Sequence, residues 1–190
     1  MLKAFFCDKE MTHIIWCSRE KSGSYEIPNT VKTIDKYAFE KCKKLTSITI
    51  PNSYTEIESG SFSDSSGLKR VIIPDTVSSI GDRAFCYCSE LKFIAIPDSV
   101  KYIGERAFAY CSELAAVNIP DSVTRIGEYA FDWCSKKMTV SVSEGLVYPS
   151  NAFPSTAVII IRSKQQHLFP LQTLVQVEKD IHRFLQLIES

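Results

Sequence analysis

Apolar positions recur along this chain with a period of 23 residues. The dipeptide Ile-Pro marks the register at 27–28, 50–51, 73–74, 96–97 and 119–120. Each unit reads L-x-x-I-x-I-P-D-S-V-x-x-I-G-x-x-A-F-x-x-C, and five such units run from 27 to 141. Self-similarity at a fixed period of this length is typical of a solenoid, in which every unit buries its apolar face against its neighbours.

The first half of each unit predicts a β-strand. In the segment 91–96, Ile94 and Ile96 lie two residues apart and therefore point to the same face of a strand. Pro97 has no backbone N–H, so it ends the strand there. Stacking of the units predicts a parallel sheet with strands about 4.8 Å apart.

The second half of each unit is expected to turn back and pack against that sheet. A recurring Ala-Phe pair supplies the apolar contacts, and the Ser or Thr after the Asn/Asp position is expected to bond to the backbone along the stack. Gly81, Gly104 and Gly127 share one position of the unit, where we expect a positive φ.

Both ends of the chain depart from the repeat. Residues 1–26 predict an N-terminal cap, with two short strands, 4–7 and 12–16, forming a β-hairpin. Residues 142–162 form a degenerate sixth unit. In 163–190 the apolar spacing becomes that of a helix, with Leu174, Val177, Ile181, Phe184 and Ile188 on one face. That helix either caps the solenoid or binds a partner or a second copy of the chain.

Composition and charge limit the classes of partner and the cellular locations that we expect for this chain. Lys plus Arg and Asp plus Glu are 22 each, so the net charge is zero, which argues against a nucleic-acid partner. No run is long enough for a membrane span, and no signal peptide is visible. The seven cysteines are an odd number without a C-x-x-C pair, which favours a reducing compartment and a cytoplasmic location.

Candidate chemistry is largely explained by the repeat. Cys42, Cys88, Cys111 and Cys134 share one position of the unit, so we interpret them as structural thiols rather than as metal ligands. Asp75, Asp98 and Asp121 are interpreted as turn residues in the same way. The three histidines are scattered, and no phosphate loop, zinc motif or nucleophile elbow is present. We therefore expect no catalytic residues, no metal and no cofactor.

The outward strand positions form the predicted partner-binding face. They are the third and fifth residues of each L-x-x-I-x-I strand, namely Ser47, Thr49, Arg70, Ile72, Phe93, Ala95, Ala116 and Asn118. Arg70, Ile72 and Phe93 form a diagonal patch of residue types common in interfaces. Alternatively, Ile72 and Phe93 merely cover the sheet. A competing patch on the opposite side consists of Tyr102, Arg106, Tyr110 and Trp133.

The string IPDSVKYIGERAFAYCSEL, residues 96–114, resembles the repeat of BspA-like leucine-rich repeat proteins. The resemblance covers at least residues 27–141. It implies a curved right-handed horseshoe with a concave parallel sheet, and a role in adhesion at a cell surface. The predicted fold is therefore an α/β-type repeat solenoid with an N-terminal hairpin and a C-terminal helix. The predicted function is protein binding, and the alternative is a structural subunit of an intracellular assembly.

Overall fold

The computed structural model of the protein describes residues 5–163. Within that range the regular structure consists of strands alone, so the α/β-type description is wrong there and the fold is a β-solenoid. The helix predicted for 163–190 lies outside the described residues. The strands are β1 (Phe5–Cys7), β2 (His13–Cys17), β3 (Gly23–Glu26), β4 (Thr33–Ile34), β5 (Leu45–Thr49), β6 (Glu56–Ile57), β7 (Arg70–Ile72), β8 (Ser79–Ile80), β9 (Tyr102–Ile103), β10 (Ala116–Asn118), β11 (Arg125–Ile126), β12 (Thr139–Ser143) and β13 (Val158–Arg162).

Two parallel sheets run along the stack, one from each half of the unit. The main sheet contains β3-β5-β7 and β10-β12-β13, and the second sheet contains β6, β8, β9 and β11 in consecutive order. The expected strand of the fourth coil, near Phe93, is reduced to a single parallel bridge with Ala116, so the main sheet is interrupted between β7 and β10. At the N-terminus, β1 and β2 form the antiparallel hairpin, and β2 continues in parallel to β4.

A ladder of phenylalanine rings fills the interior between the two sheets. The Phe of the Ala-Phe pair in each coil stacks on the next, with ring centroids 5.0–5.3 Å apart. The ladder consists of Phe39, Phe62, Phe85, Phe108, Phe131 and Phe153. Its last member belongs to the degenerate sixth unit, so that unit continues the same core.

The repeated glycines do not serve the purpose that the sequence suggested. Gly81, Gly104 and Gly127 do not have a positive φ. Instead, a Cβ at these positions would lie 2.7, 2.5 and 2.4 Å from a backbone nitrogen of the preceding coil. The glycine is therefore needed because two coils approach closely. The prediction of a positive φ was wrong because a repeated glycine is compatible with two different requirements: close approach of two backbones, or a left-handed backbone conformation.

Positive φ occurs instead at two other positions of the unit, four residues apart. Their φ values run from 52° to 66°. These two columns are Tyr37, Gly60, Arg83, Arg106 and Tyr129, and Lys41, Asp64, Tyr87, Tyr110 and Trp133. Nine of the ten residues have a Cβ, and a left-handed backbone is energetically costly for such residues. We infer that the tight turns between strands impose this conformation.

The Ser/Thr position bonds along the stack as predicted. Ser53, Thr76, Ser99 and Ser122 each donate a hydroxyl hydrogen bond to a backbone carbonyl of the preceding coil, at 2.5–2.7 Å. Each of these bonds satisfies a carbonyl that the turn would otherwise leave unpaired inside the stack. The column thus joins each coil to the one before it.

Candidate binding surface

Six of the eight predicted binding residues lie on the outward face of β5, β7 and β10, and Phe93 and Ala95 point outward from the segment between β7 and β10 where the main sheet is interrupted. The buried residues between them, Ile48, Val71, Ile94 and Val117, point to the core, as the period of two requires. Among the eight, Phe93 and Ile72 are the large apolar side chains, and they are 57% and 41% exposed. We call this surface the strand face.

Arg70, Ile72 and Phe93 border the interruption of the main sheet. Arg70 and Ile72 pair in register with Ser47 and Thr49 on one side. On the other side β7 has no strand partner, because the segment around Phe93 pairs only with Ala116. The second sheet remains continuous at this level, since β8 pairs with β9. The patch therefore lies on the part of the strand face with the fewest strand pairings.

Asn118 is occupied within the molecule. Arg162, at the end of β13, donates hydrogen bonds to the Asn118 side chain, to the carbonyl of Ile119 at 2.6 Å and to the Asp121 carboxylate at 2.6 Å. Asn118 is thus less available to a partner than its place in the strand suggested. The sequence carries no signal for this contact, because Arg162 lies 44 residues away from Asn118 in the chain.

Sequence reasoning missed two exposed apolar members of the strand face. Val158 and Ile160, on β13, extend the two outward rows and are 58% and 50% exposed. The signal that points to them is the polar/apolar alternation of β12, with which β13 pairs in register over five residues. The strand face therefore has an apolar end as well as an apolar centre.

The competing patch divides into separate parts. Tyr110 stacks between Tyr87 and Trp133, with ring centroids 4.3 and 5.9 Å apart, and Trp133 is 64% exposed. Arg106, by contrast, lies over the ring of Tyr129. We call the three stacked rings the aromatic ladder. Tyr87 is the member that the sequence reasoning overlooked, although its 23-residue distance from Tyr110 is the signal that would have found it.

The repeated cysteine position, which we call the cysteine column, lies inside the stack, where its thiols donate hydrogen bonds to the backbone. All seven cysteines carry free thiols. Cys88, Cys111 and Cys134 are buried, and each thiol donates to the carbonyl of a ladder phenylalanine at 3.2–3.3 Å. Burial raises the pKa of Cys134 to about 12 and raises the pKa of Cys88 and Cys111 above the ordinary value. These thiols are therefore protonated hydrogen-bond donors, without nucleophilic character at neutral pH.

These raised pKa values predict a loss of stability at alkaline pH. A thiol that stays neutral in the fold and ionises on unfolding stabilises the fold fully below pH 9.0, its ordinary pKa, and this contribution declines towards the folded pKa of about 12 for Cys134. We expect the free energy of unfolding to fall over this range in urea titrations. The triple variant Cys88→Ser/Cys111→Ser/Cys134→Ser should fall less steeply.

Serine suits this control because Ser65 already occupies the column and donates to the Phe39 carbonyl at 2.7 Å. Burial also raises the pKa of Tyr25 and Tyr54, which act in the same direction in both proteins. The difference between the two titrations therefore isolates the thiols. Equal slopes for the two proteins would contradict the prediction.

A shallow depression of about 550 Å³ lies beside the hairpin. His13 and Asp35 pair there through Nε2 and Oδ1 at 2.7 Å, and Glu58 lies on the same wall. Both members of the pair are substantially exposed, and no serine or cysteine lines the depression. Among residues 5–163, no group of three His, Cys, Asp or Glu side chains is placed to hold a metal ion. The depression therefore holds an exposed, hydrogen-bonded histidine–aspartate pair.

Over the same stretch of chain, no helix is long and apolar enough to cross a membrane. A search of the curated proteins found no match.

Several solved structures are similar to this chain. A leucine-rich repeat protein from T. pallidum is 25% identical with a TM-score of 0.63, and the match covers 85% of each chain.

Two longer bacterial proteins are also similar. A leucine-rich repeat protein from Bacteroides ovatus is 26% identical, with a TM-score of 0.63, over 83% of this chain and 51% of that one. A leucine-rich cell surface protein from Faecalibacterium prausnitzii is 25% identical, with a TM-score of 0.59, over 74% of this chain and 48% of that one. This chain thus spans about half the length of both. The model of the BspA type leucine rich repeat region matches residues 15–156 in six copies. The chain therefore belongs to the BspA-type leucine-rich repeat family.

Proposed function

We propose that this chain is a non-catalytic protein-binding module that recognises a protein partner through the strand face. The observation that carries the proposal is the exposure of Phe93 and Ile72 beside Arg70 on a sheet whose other face is fully packed. Exposed aromatic and arginine side chains at the centre of a face are the residue types that dominate binding energy in interfaces. In the horseshoe that the family resemblance implies, this face is the concave side.

Two settings are compatible with such a module, and each has its own support. The family and the cell surface protein of Faecalibacterium prausnitzii favour a role in adhesion at a cell surface. The odd number of cysteines, without a C-x-x-C pair, favours a structural subunit in an intracellular assembly. Localisation of the tagged native protein distinguishes the two settings directly.

A homo-oligomer formed through residues 163–190 is a further proposal, which native mass spectrometry tests.

Substitution on the strand face tests the binding proposal. We expect the double variant Arg70→Glu/Phe93→Ser to lose at least tenfold in affinity for the partner captured by the wild-type protein, because it removes an aromatic anchor and reverses a charge. The measurement is a quantitative pull-down, followed by titration of the captured partner. Circular dichroism establishes that the variant is folded.

A matched control removes two aromatic rings from another surface of the stack. Tyr110→Ser/Trp133→Ser alters the aromatic ladder and leaves the strand face intact, so it should bind the partner as the wild type does. Unchanged binding by the folded Arg70→Glu/Phe93→Ser variant would rule out the strand face. Loss of binding by the control alone would transfer the site to the aromatic ladder.

A further inference from the structure

The first coil breaks the hydrogen-bonding rule of the cysteine column. In later coils, the column residue donates to the carbonyl of a phenylalanine 26 residues earlier. Cys42 has no such phenylalanine below it, because the N-terminal hairpin takes the place of a preceding coil. Its Sγ lies instead 3.8 Å from the Ser18 carbonyl oxygen and 4.0 Å from the Cys17 carbonyl oxygen.

A second buried thiol lies at the same point. Cys17 ends β2, is fully buried, and has its Sγ 3.6 Å from the same Ser18 oxygen. The Sγ atoms of Cys17 and Cys42 therefore both lie within 4 Å of one carbonyl oxygen, which brings the two thiols together at this end of the stack. Neighbours within the column project in parallel from equivalent positions, but Cys17 comes from a strand of the hairpin. Its side chain is therefore able to face Cys42.

We propose that Cys17 and Cys42 are a disulfide-forming pair that locks the N-terminal hairpin onto the first coil when the chain meets a disulfide oxidant. With oxidised glutathione, the thiolate of one cysteine attacks the glutathione disulfide and releases one glutathione thiol. The second cysteine, after losing its proton, attacks the resulting mixed disulfide and releases the second glutathione. The two cysteines are oxidised by two electrons and one glutathione disulfide is reduced to two thiols.

The proximity of the two thiols also favours one of them as the attacking group. Interaction with the neighbouring Cys17 thiol lowers the pKa of Cys42, whereas interaction with Cys42 together with burial raises the pKa of Cys17. Because the hairpin is packed against the stack on one side only, opening at this end exposes the pair without disturbing the later coils. A disulfide here leaves five thiols, and the column from Cys88 onward is unaffected.

Refolding in a redox buffer tests the proposal. The full chain is reduced, refolded with reduced and oxidised glutathione, blocked with N-ethylmaleimide and mapped by mass spectrometry. We expect one disulfide, Cys17–Cys42, five blocked thiols, and a melting temperature raised by about 5–10 °C relative to the reduced protein. Seven blocked thiols, or a disulfide between other cysteines, would overturn the proposal.

Two serine variants control for folding and for general oxidation. Cys42→Ser is well matched because Ser65 holds the same column position in the next coil and is buried there. It should lose the rise in melting temperature completely, and Cys88→Ser should keep it. A rise of the same size in Cys42→Ser would show that the Cys17–Cys42 bond is not what stabilises the oxidised protein.

Discussion

Phe108→Ala is expected to lower the free energy of unfolding by about 3–5 kcal/mol. Phe108 is fully buried and stacks on Phe85 and Phe131, with centroids 5.2 and 5.0 Å away. Its removal leaves a cavity between two coils that hydrogen bonds hold at a fixed distance, so the neighbouring rings are unable to close the space.

Urea denaturation followed by circular dichroism measures this effect. The control is Tyr110→Ala, two residues away on the aromatic ladder, whose ring contacts Tyr87 and Trp133 at the surface rather than in the core. We expect it to cost about 1 kcal/mol, because Tyr110 is only half-buried and its loss removes stacking contacts at the surface without leaving a core cavity. Comparable losses for the two variants would show that the phenylalanine ladder is not the main core.

Gly104→Ala is expected to cost about 2–3 kcal/mol, although it adds only one methyl group. Gly104 lies against the preceding coil, where its Cβ would come within 2.5 Å of the Asp82 nitrogen and 2.6 Å of the Gly81 carbonyl carbon. Backbone atoms are unable to rotate away as a flexible side chain would. The two coils must therefore separate, which weakens the Ser/Thr and thiol hydrogen bonds between them.

Gly145→Ala is the matched control, because it tests the opposite reason for a glycine. Nothing lies within 4 Å of its Cβ position, but its φ is +87°. Only backbone strain opposes that substitution, at about 1–2 kcal/mol. Thermal denaturation of the two variants gives the comparison. A smaller loss for Gly104→Ala than for Gly145→Ala would mean that the coils tolerate separation.

The repeat made much of the fold predictable. Phe108 and its equivalents recur every 23 residues, so one strand and one core position determined the rest. The strands of the strand face follow from the alternation of residues such as Val117 and Asn118. What could not be predicted is what differs between coils: the reduced strand near Phe93, and the reach of Arg162 to Asn118. Neither depends on a local pattern.

The positive φ values are a second feature that could not be predicted from the sequence. The positive φ of Tyr110 and Trp133 could not be predicted from residue type, because bulky side chains disfavour a left-handed backbone. The turns impose this conformation through the strands and the stack, which a local pattern does not record. The binding face has a similar limit, since alternation determines which residues point outward but not which of them a partner contacts.

The hydroxyl and thiol columns join each coil only to its immediate predecessor. A unit gained or lost by unequal recombination of the gene would thus leave every other junction intact. Each added unit would lengthen the strand face by one row, about 4.8 Å, with its own pair of outward residues. Recognition surfaces of different reach can arise in this way without a new core.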